Sequence, residues 1–170
     1  MKKVLLVEDD IFVRDIYSRE LKKGEYEIVV AEDGQLGIDK ATSEKYDLIL
    51  LDIMLPKKTG IDVLREIRNA PEPYKSTPVY LLTNLGQGSI IKQAVDIGAQ
   101  GYLLKARYLP SQVLDSVDKF FRDGPMKIDL KEFGQNRLIT LSHPVCFLSI
   151  GLQGRQYFLD SSIRQHLREQ

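Results

Sequence analysis

The sequence predicts a doubly wound α/β fold of five βα units, followed by a smaller C-terminal segment. Three observations lead there. Short apolar runs alternate with helix-period stretches from residue 3 to residue 122. Three of the runs, Val-Leu-Leu-Val (4–7), Leu-Ile-Leu-Leu (48–51) and Val-Tyr-Leu-Leu (79–82), lack the in/out alternation of a sheet wet on one face. Continuous apolar strands are buried on both faces, which is the signature of a parallel sheet between two helix layers. Parallel strands in turn need crossovers, and the intervening helical stretches supply them.

The elements follow in order. Lys3–Val7 is the first strand, and Asp10–Lys23 has helix spacing through Val13, Ile16, Tyr17 and Leu21. Tyr26–Ala31 is β-branched and strand-like, and Gly34–Lys45 is helical through Leu36, Ile38 and Ala41. Asp47–Leu51 is a strand, and Thr59–Asn69 carries Ile61, Leu64 and Ile67 on one helical stripe. Pro78–Leu82, Ser89–Ile97, Gly101–Leu104 and Ser111–Arg122 complete the alternation. The break falls at Arg122-Asp123-Gly124-Pro125, where Gly-Pro stops a helix. Residues 1–122 are therefore expected to form one domain and residues 123–170 an extension.

Composition narrows the function. The 170 residues carry 24 basic and 24 acidic side chains, so bulk charge does not favour nucleic acid or a membrane surface. The single cysteine, Cys146, excludes an intrachain disulfide framework. No stretch approaches the length of a membrane span, and the start turns acidic at Glu8 after only five apolar residues. A cytoplasmic setting without membrane insertion is the expectation.

An open parallel sheet binds its ligand beyond the carboxyl ends of its strands. Those ends hold Glu8, Asp9 and Asp10 after strand one, Asp52 after strand three, Thr83 after strand four and Lys105 after strand five. A single polar residue at a strand end means only that loops are wet. Acids after two strands, a hydroxyl after a third and a lysine after a fourth make a set. Carboxylates held together need a counter-charge. Lys105 supplies one, and a divalent cation would supply more. All-oxygen donors suit Mg²⁺ or Mn²⁺, which typically also take phosphate oxygens. The set fits a phosphoryl group meeting a metal, a hydroxyl and an ammonium, with Asp52 as nucleophile forming an acyl phosphate.

The segments Val-Leu-Leu-Val-Glu-Asp-Asp (4–10), Asp-Leu-Ile-Leu-Leu-Asp-Ile-Met-Leu-Pro (47–56) with Gly60, Leu-Leu-Thr (81–83) and Gly-Ala-Gln-Gly-Tyr-Leu-Leu-Lys (98–105) resemble the receiver domain of two-component response regulators. The resemblance covers residues 2–122. It implies a flavodoxin-like (βα)₅ sheet of strand order 2-1-3-4-5, and a signalling switch rather than an enzyme. By the same resemblance Asp52 is the phosphoacceptor, Asp9 a direct metal ligand, Glu8 a ligand through water, and the Met54 carbonyl a further ligand. Lys105 contacts the phosphoryl group, Thr83 is the switch hydroxyl and Tyr102 the aromatic that follows it. The implied cofactor is Mg²⁺ or Mn²⁺. The implied partners are a sensor histidine kinase or phosphotransfer protein and a downstream protein target. Asp10 falls one place after the usual acidic pair and suits helix capping. Two departures stand out: Asn84 where the family has a small residue, and Ala106 where it has proline. Met54 and Leu85 occupy the places that flank the path of hydrolytic water.

Rival readings stay open on the sequence. A flavodoxin-type electron carrier shares the topology, but Glu8-Asp9-Asp10 would repel its phosphate. A haloacid-dehalogenase-type phosphatase needs a general acid where Met54 stands. A receiver used only for docking or dimerisation, without phosphate, is the more serious alternative. In the extension, 137–141, 145–150 and 155–159 read as short strands and 161–169 as a helix. This mostly β appendage has 6 basic and 5 acidic groups and no evident recognition helix, so direct DNA binding is not expected. Gly101, just before Tyr102, also lacks the acid typical of receivers that dimerise ahead of DNA-binding domains. Packing on the receiver or on a second copy is the expected role of the extension.

Overall fold

The computed structural model describes residues 1–84 and 88–125. The elements read from 126–170, and Leu85, lie outside the described residues. The order is β1 (Lys3–Val7), α1 (Ile11–Lys23), β2 (Glu27–Ala31), α2 (Gly34–Ser43), β3 (Leu48–Leu51), α3 (Gly60–Asn69), β4 (Val79–Thr83), α4 (Gly88–Ile97), β5 (Gly101–Leu104) and α5 (Pro110–Asp123). The five strands are parallel in the order β2-β1-β3-β4-β5. Expected and observed ends agree to within two residues at every element, and two strands match at both ends.

Strand pleating explains how apolar runs serve two cores. Successive side chains point to opposite faces. Leu5, Val7, Ile49, Leu51, Val79 and Leu81 pack on one face with Val63, Leu64 and Ile67 of α3. Val4, Leu6, Leu48, Leu50, Tyr80, Leu82 and Leu103 pack on the other with Tyr17 and Leu21 of α1 and Val113, Val117 and Phe120 of α5. Both faces are dry, so no strand position of β3 or β4 is free to be polar until Thr83.

The helix starts hold the strand-end loops in place. Asp10 caps α1 by accepting from the amides of Phe12 and Val13 at 2.8 and 3.2 Å. Thr59 and Asp62 form a reciprocal capping box at α3. Gly60 sits where a Cβ would lie 2.1 Å from the Asp52 carbonyl oxygen, so only glycine permits that approach. Gly101 likewise leaves room for the ring of Tyr80, 2.7 Å from a Cβ built there. The missing acid before Tyr102 thus has a packing cause in this chain.

One element was not legible in the sequence. A 3₁₀ turn at Tyr74–Ser76 precedes β4. It is closed by Arg68, whose guanidinium donates to the carbonyls of Lys75, Thr77 and Gly98 at 2.8, 2.9 and 2.8 Å. Three residues have no periodicity to read, and Arg68 finds backbone acceptors, which no side-chain pattern announces.

Candidate phosphoacceptor and metal site

The carboxyl ends of β1, β3 and β5 bring Glu8, Asp52 and Lys105 together. The register places Val7 beside both Ala31 and Leu51, so the residues after β1 and β3 emerge at the same height. The Asp52 amide donates to the Val7 carbonyl at 3.0 Å, and the Lys105 amide donates to the Thr83 carbonyl at 2.9 Å. The backbone ladder thus fixes where each functional side chain begins.

Lys105 Nζ donates to Asp52 Oδ2 at 2.8 Å and also to Glu8 Oε2. The other Asp52 oxygen, Oδ1, accepts from the amides of Ile53 and Met54 at 2.6 and 3.3 Å. Glu8 and Asp52 are buried, whereas Asp9 is exposed beside them. Oxygens of Glu8, Asp9 and Asp52 lie within 4.8 Å of one another. An all-oxygen cluster of this spacing, open on the Asp9 side, fits a hard divalent cation.

The charges are mutually dependent. Burial pushes the Glu8 carboxyl above its ordinary range, Lys105 opposes that, and the Asp52 and Asp9 charges add to it. Burial works against the Lys105 ammonium, but the hydrogen bonds to Asp52 and Glu8 outweigh it and hold the lysine protonated. Two buried carboxylates therefore share one cation, and a net negative charge remains at the edge where Asp9 stands.

The remaining expected residues fall near this centre. Thr83 is fully buried at the end of β4, and Tyr102 of β5 is partly buried against the core under α3 and α4. Met54 directs its side chain to solvent, at 64% exposure, while its amide faces Asp52. The loop after β5 turns at Ala106 with a trans peptide, closed by the Arg107 amide on the Leu104 carbonyl at 2.8 Å. The cis bond among the described residues is Glu72–Pro73.

Sequence reasoning missed three supporting groups. Arg14 donates to the carbonyls of Glu8 and Asp9 at 2.9 and 3.1 Å. Asp33, buried at the start of α2, accepts from Lys57 at 2.5 Å and ties the loop after Asp52 back to that helix. In that loop the Gly34 amide donates to the Pro56 carbonyl at 3.2 Å. Arg14 is spaced one turn from Asp10 and so could have been suspected. The Asp33–Lys57 pair spans 24 residues and had no local signal.

A five-stranded parallel sheet with acids after β1 and β3, a hydroxyl after β4 and a lysine after β5 is the arrangement of a receiver domain. The model of the response regulator receiver domain matches residues 4–118, and the chain belongs to that family of two-component systems. The chain is 33% identical over 133 residues to the response regulator ArlR of Staphylococcus saprophyticus, covering 77% of this chain and 58% of ArlR. It is 35% identical over 120 residues to the transcriptional regulatory protein ResD of Bacillus subtilis, covering 71% of this chain and 48% of ResD. The chain thus spans about half to three-fifths of the curated relatives it matches. Among solved structures it resembles the Mn²⁺-bound form of the response regulator Rcp1, at 27% identity and a TM-score of 0.64, covering 76% of this chain and all of that one. Receiver domains of this family are generally not catalytic enzymes. No helix among the described residues is long and apolar enough to cross a membrane.

Proposed function

We propose that this chain accepts a phosphoryl group on Asp52 from a histidine kinase or phosphotransfer protein and relays the change to a protein target. The observation that carries this reading is the single Lys105 ammonium bridging Glu8 and Asp52, with Asp9 open beside them. Asp52 Oδ2, held by Lys105 at 2.8 Å, is the attacking oxygen in this reading. It forms the new P–O bond as the donor's P–N bond breaks, and the electron pair leaves with the donor imidazole. Lys105 then follows the phosphoryl oxygens, and the Ile53 and Met54 amides hold Asp52 in orientation. Glu8, Asp9, Asp52 and the Met54 carbonyl would hold Mg²⁺ or Mn²⁺, which neutralises charge on the transferring group.

The surface around the site favours a macromolecular donor. Ile11, Phe12 and Ile16 of α1 are exposed beside the acidic loop, Phe12 at 77%. Met54 and Leu109 are exposed on neighbouring loops of the same edge. Apolar groups ringing a charged centre suit a protein that docks over it. Such donors act in the cytoplasm, which is where this reading puts the chain.

Phosphorylation then biases a pre-existing equilibrium, with Thr83 drawn toward the phosphoryl group and Tyr102 following. ResD is named as a transcriptional regulator, and the chain matches about half of it. For this chain we keep a protein target, or a second copy, as the output. Incubation with labelled acetyl phosphate and Mg²⁺ tests the reading. The wild type should take up label and Asp52→Asn should not. Equal labelling of both would remove Asp52 from the role, and no labelling of either would favour the phosphate-independent docking module.

A further inference from the structure

We infer that Arg14 is a positioning residue for the metal-binding loop, an inference that rests on the receiver reading above. One terminal nitrogen of its guanidinium donates to two consecutive carbonyls, Glu8 at 2.9 Å and Asp9 at 3.1 Å. These belong to the two residues of the loop after β1 whose carboxylates would face a cation. The Arg14 amide also donates to the Asp10 carbonyl at 2.9 Å, and Asp10 caps the same helix. Residues 8–10 are therefore gripped from α1 by a side chain, a cap and a backbone bond at successive positions.

The grip answers a specific problem. Glu8, Asp9 and Asp52 hold like charges within 4.8 Å, and among the described residues Lys105 donates to Glu8 and Asp52. Asp9 is exposed on a loop that its own repulsion from the other two would push outward. Ladder bonding holds the start of the loop, since the Glu8 amide donates to the Ala31 carbonyl at 3.0 Å. Arg14 holds the carbonyls on the far side of both residues. Because one nitrogen serves both carbonyls, the two residues are held to a common point.

Two effects of removing Arg14 have opposite signs, and that makes the inference decidable. As a bare charge, Arg14 repels an incoming cation, so its loss should tighten binding. As a clamp, it keeps the carboxylates converged, so its loss should weaken binding. Groups that orient metal ligands typically contribute about 10–100-fold in affinity. The bonds to two loop carbonyls point to the second effect.

The test is Mg²⁺ titration of the full chain by calorimetry, with Mg²⁺ alone as the probe. Arg14→Met should bind about tenfold more weakly or worse. Arg14→Lys keeps the charge on a shorter side chain, and should fall between the two. Labelling by acetyl phosphate should slow in Arg14→Met at low Mg²⁺ and recover at saturating Mg²⁺. Unchanged or tighter binding in Arg14→Met overturns the inference, as does a labelling deficit that saturating Mg²⁺ leaves in place. Should Arg14→Met fail to fold, Arg14→Gln takes its place, and wild-type or tighter binding in that variant overturns the inference equally. A wild type that binds no Mg²⁺ strikes the receiver reading itself, whereas a wild type that binds while the variants match it strikes only Arg14.

Discussion

Replacing Lys105 by methionine removes the one cation shared by Glu8 and Asp52. The side chains of Lys105, Glu8 and Asp52 are 8%, 2% and 8% exposed, so water does little to replace it. At 2.8 Å and an effective dielectric of about 20, the Asp52 contact alone has a Coulomb energy of about 6 kcal/mol. Desolvation of the ions offsets much of that, by several kcal/mol each. Removing one partner of a buried pair nevertheless costs about 3–5 kcal/mol, because a charge is left uncompensated. The opening on the Asp9 side places the expected loss near the lower end, about 3 kcal/mol at neutral pH.

The pH dependence carries a sign. Burial already raises the Glu8 carboxyl, and Lys105 is the main opposing influence. Without Lys105 the folded value rises further above the unfolded value of about 4.3. A group raised in the folded state contributes stability that is fully present below its unfolded value. That contribution is lost as pH rises through the folded value. Lys105→Met should therefore lie closest to the wild type near pH 5 and fall behind toward pH 8. Added Mg²⁺ should recover part of the deficit at pH 8 if the converged carboxylates of the folded chain hold it, because a ligand of the folded state stabilises that state. Urea unfolding from pH 5 to pH 8, with and without Mg²⁺, measures all of this. A loss below about 1 kcal/mol that does not change with pH would refute the argument that the triad is electrostatically closed.

Gly60→Ala should cost about 1–3 kcal/mol or more by overpacking, because its Cβ would meet the Asp52 carbonyl oxygen at 2.1 Å. The urea midpoint and the labelling rate should fall together, since the displaced backbone is that of Asp52. Lys57→Met should destabilise the chain above about pH 4 and converge on the wild type as acid protonates Asp33. Lys57 holds that carboxyl below its ordinary range, and a lowered group loses its contribution as pH falls through the folded value. A gap independent of pH would show that the pair is not ionic. Met54→Asn combined with Leu85→Glu should speed loss of label from Asp52 by supplying groups that orient water, an effect that reaches about 10²–10⁴-fold when fully realised. Single-turnover decay in Mg²⁺ buffer decides it, and equal or slower decay in the variant would refute control by water access.

The sheet, its two dry faces and the edge where chemistry gathers were legible in the order of residues alone. Val4–Val7, Leu48–Leu51 and Val79–Leu82 could be read because burial on both faces forces every position to be apolar. Asp10 could be read as a cap because capping is a local affair of two or three residues. Strand-end position alone put Glu8, Asp52, Thr83 and Lys105 on one edge. The assembled fold was needed to see how Lys105 divides itself between Glu8 and Asp52, partners 97 and 53 residues away. It also decided that Arg14 grips loop carbonyls, that Arg68 closes the turn before β4, and that Asp33 meets Lys57 across two loops. The physical reason is common to all of these. Periodicity records which side of an element is dry, whereas a long cation's choice among carbonyls and carboxylates depends on distances that exist only once the sheet has assembled.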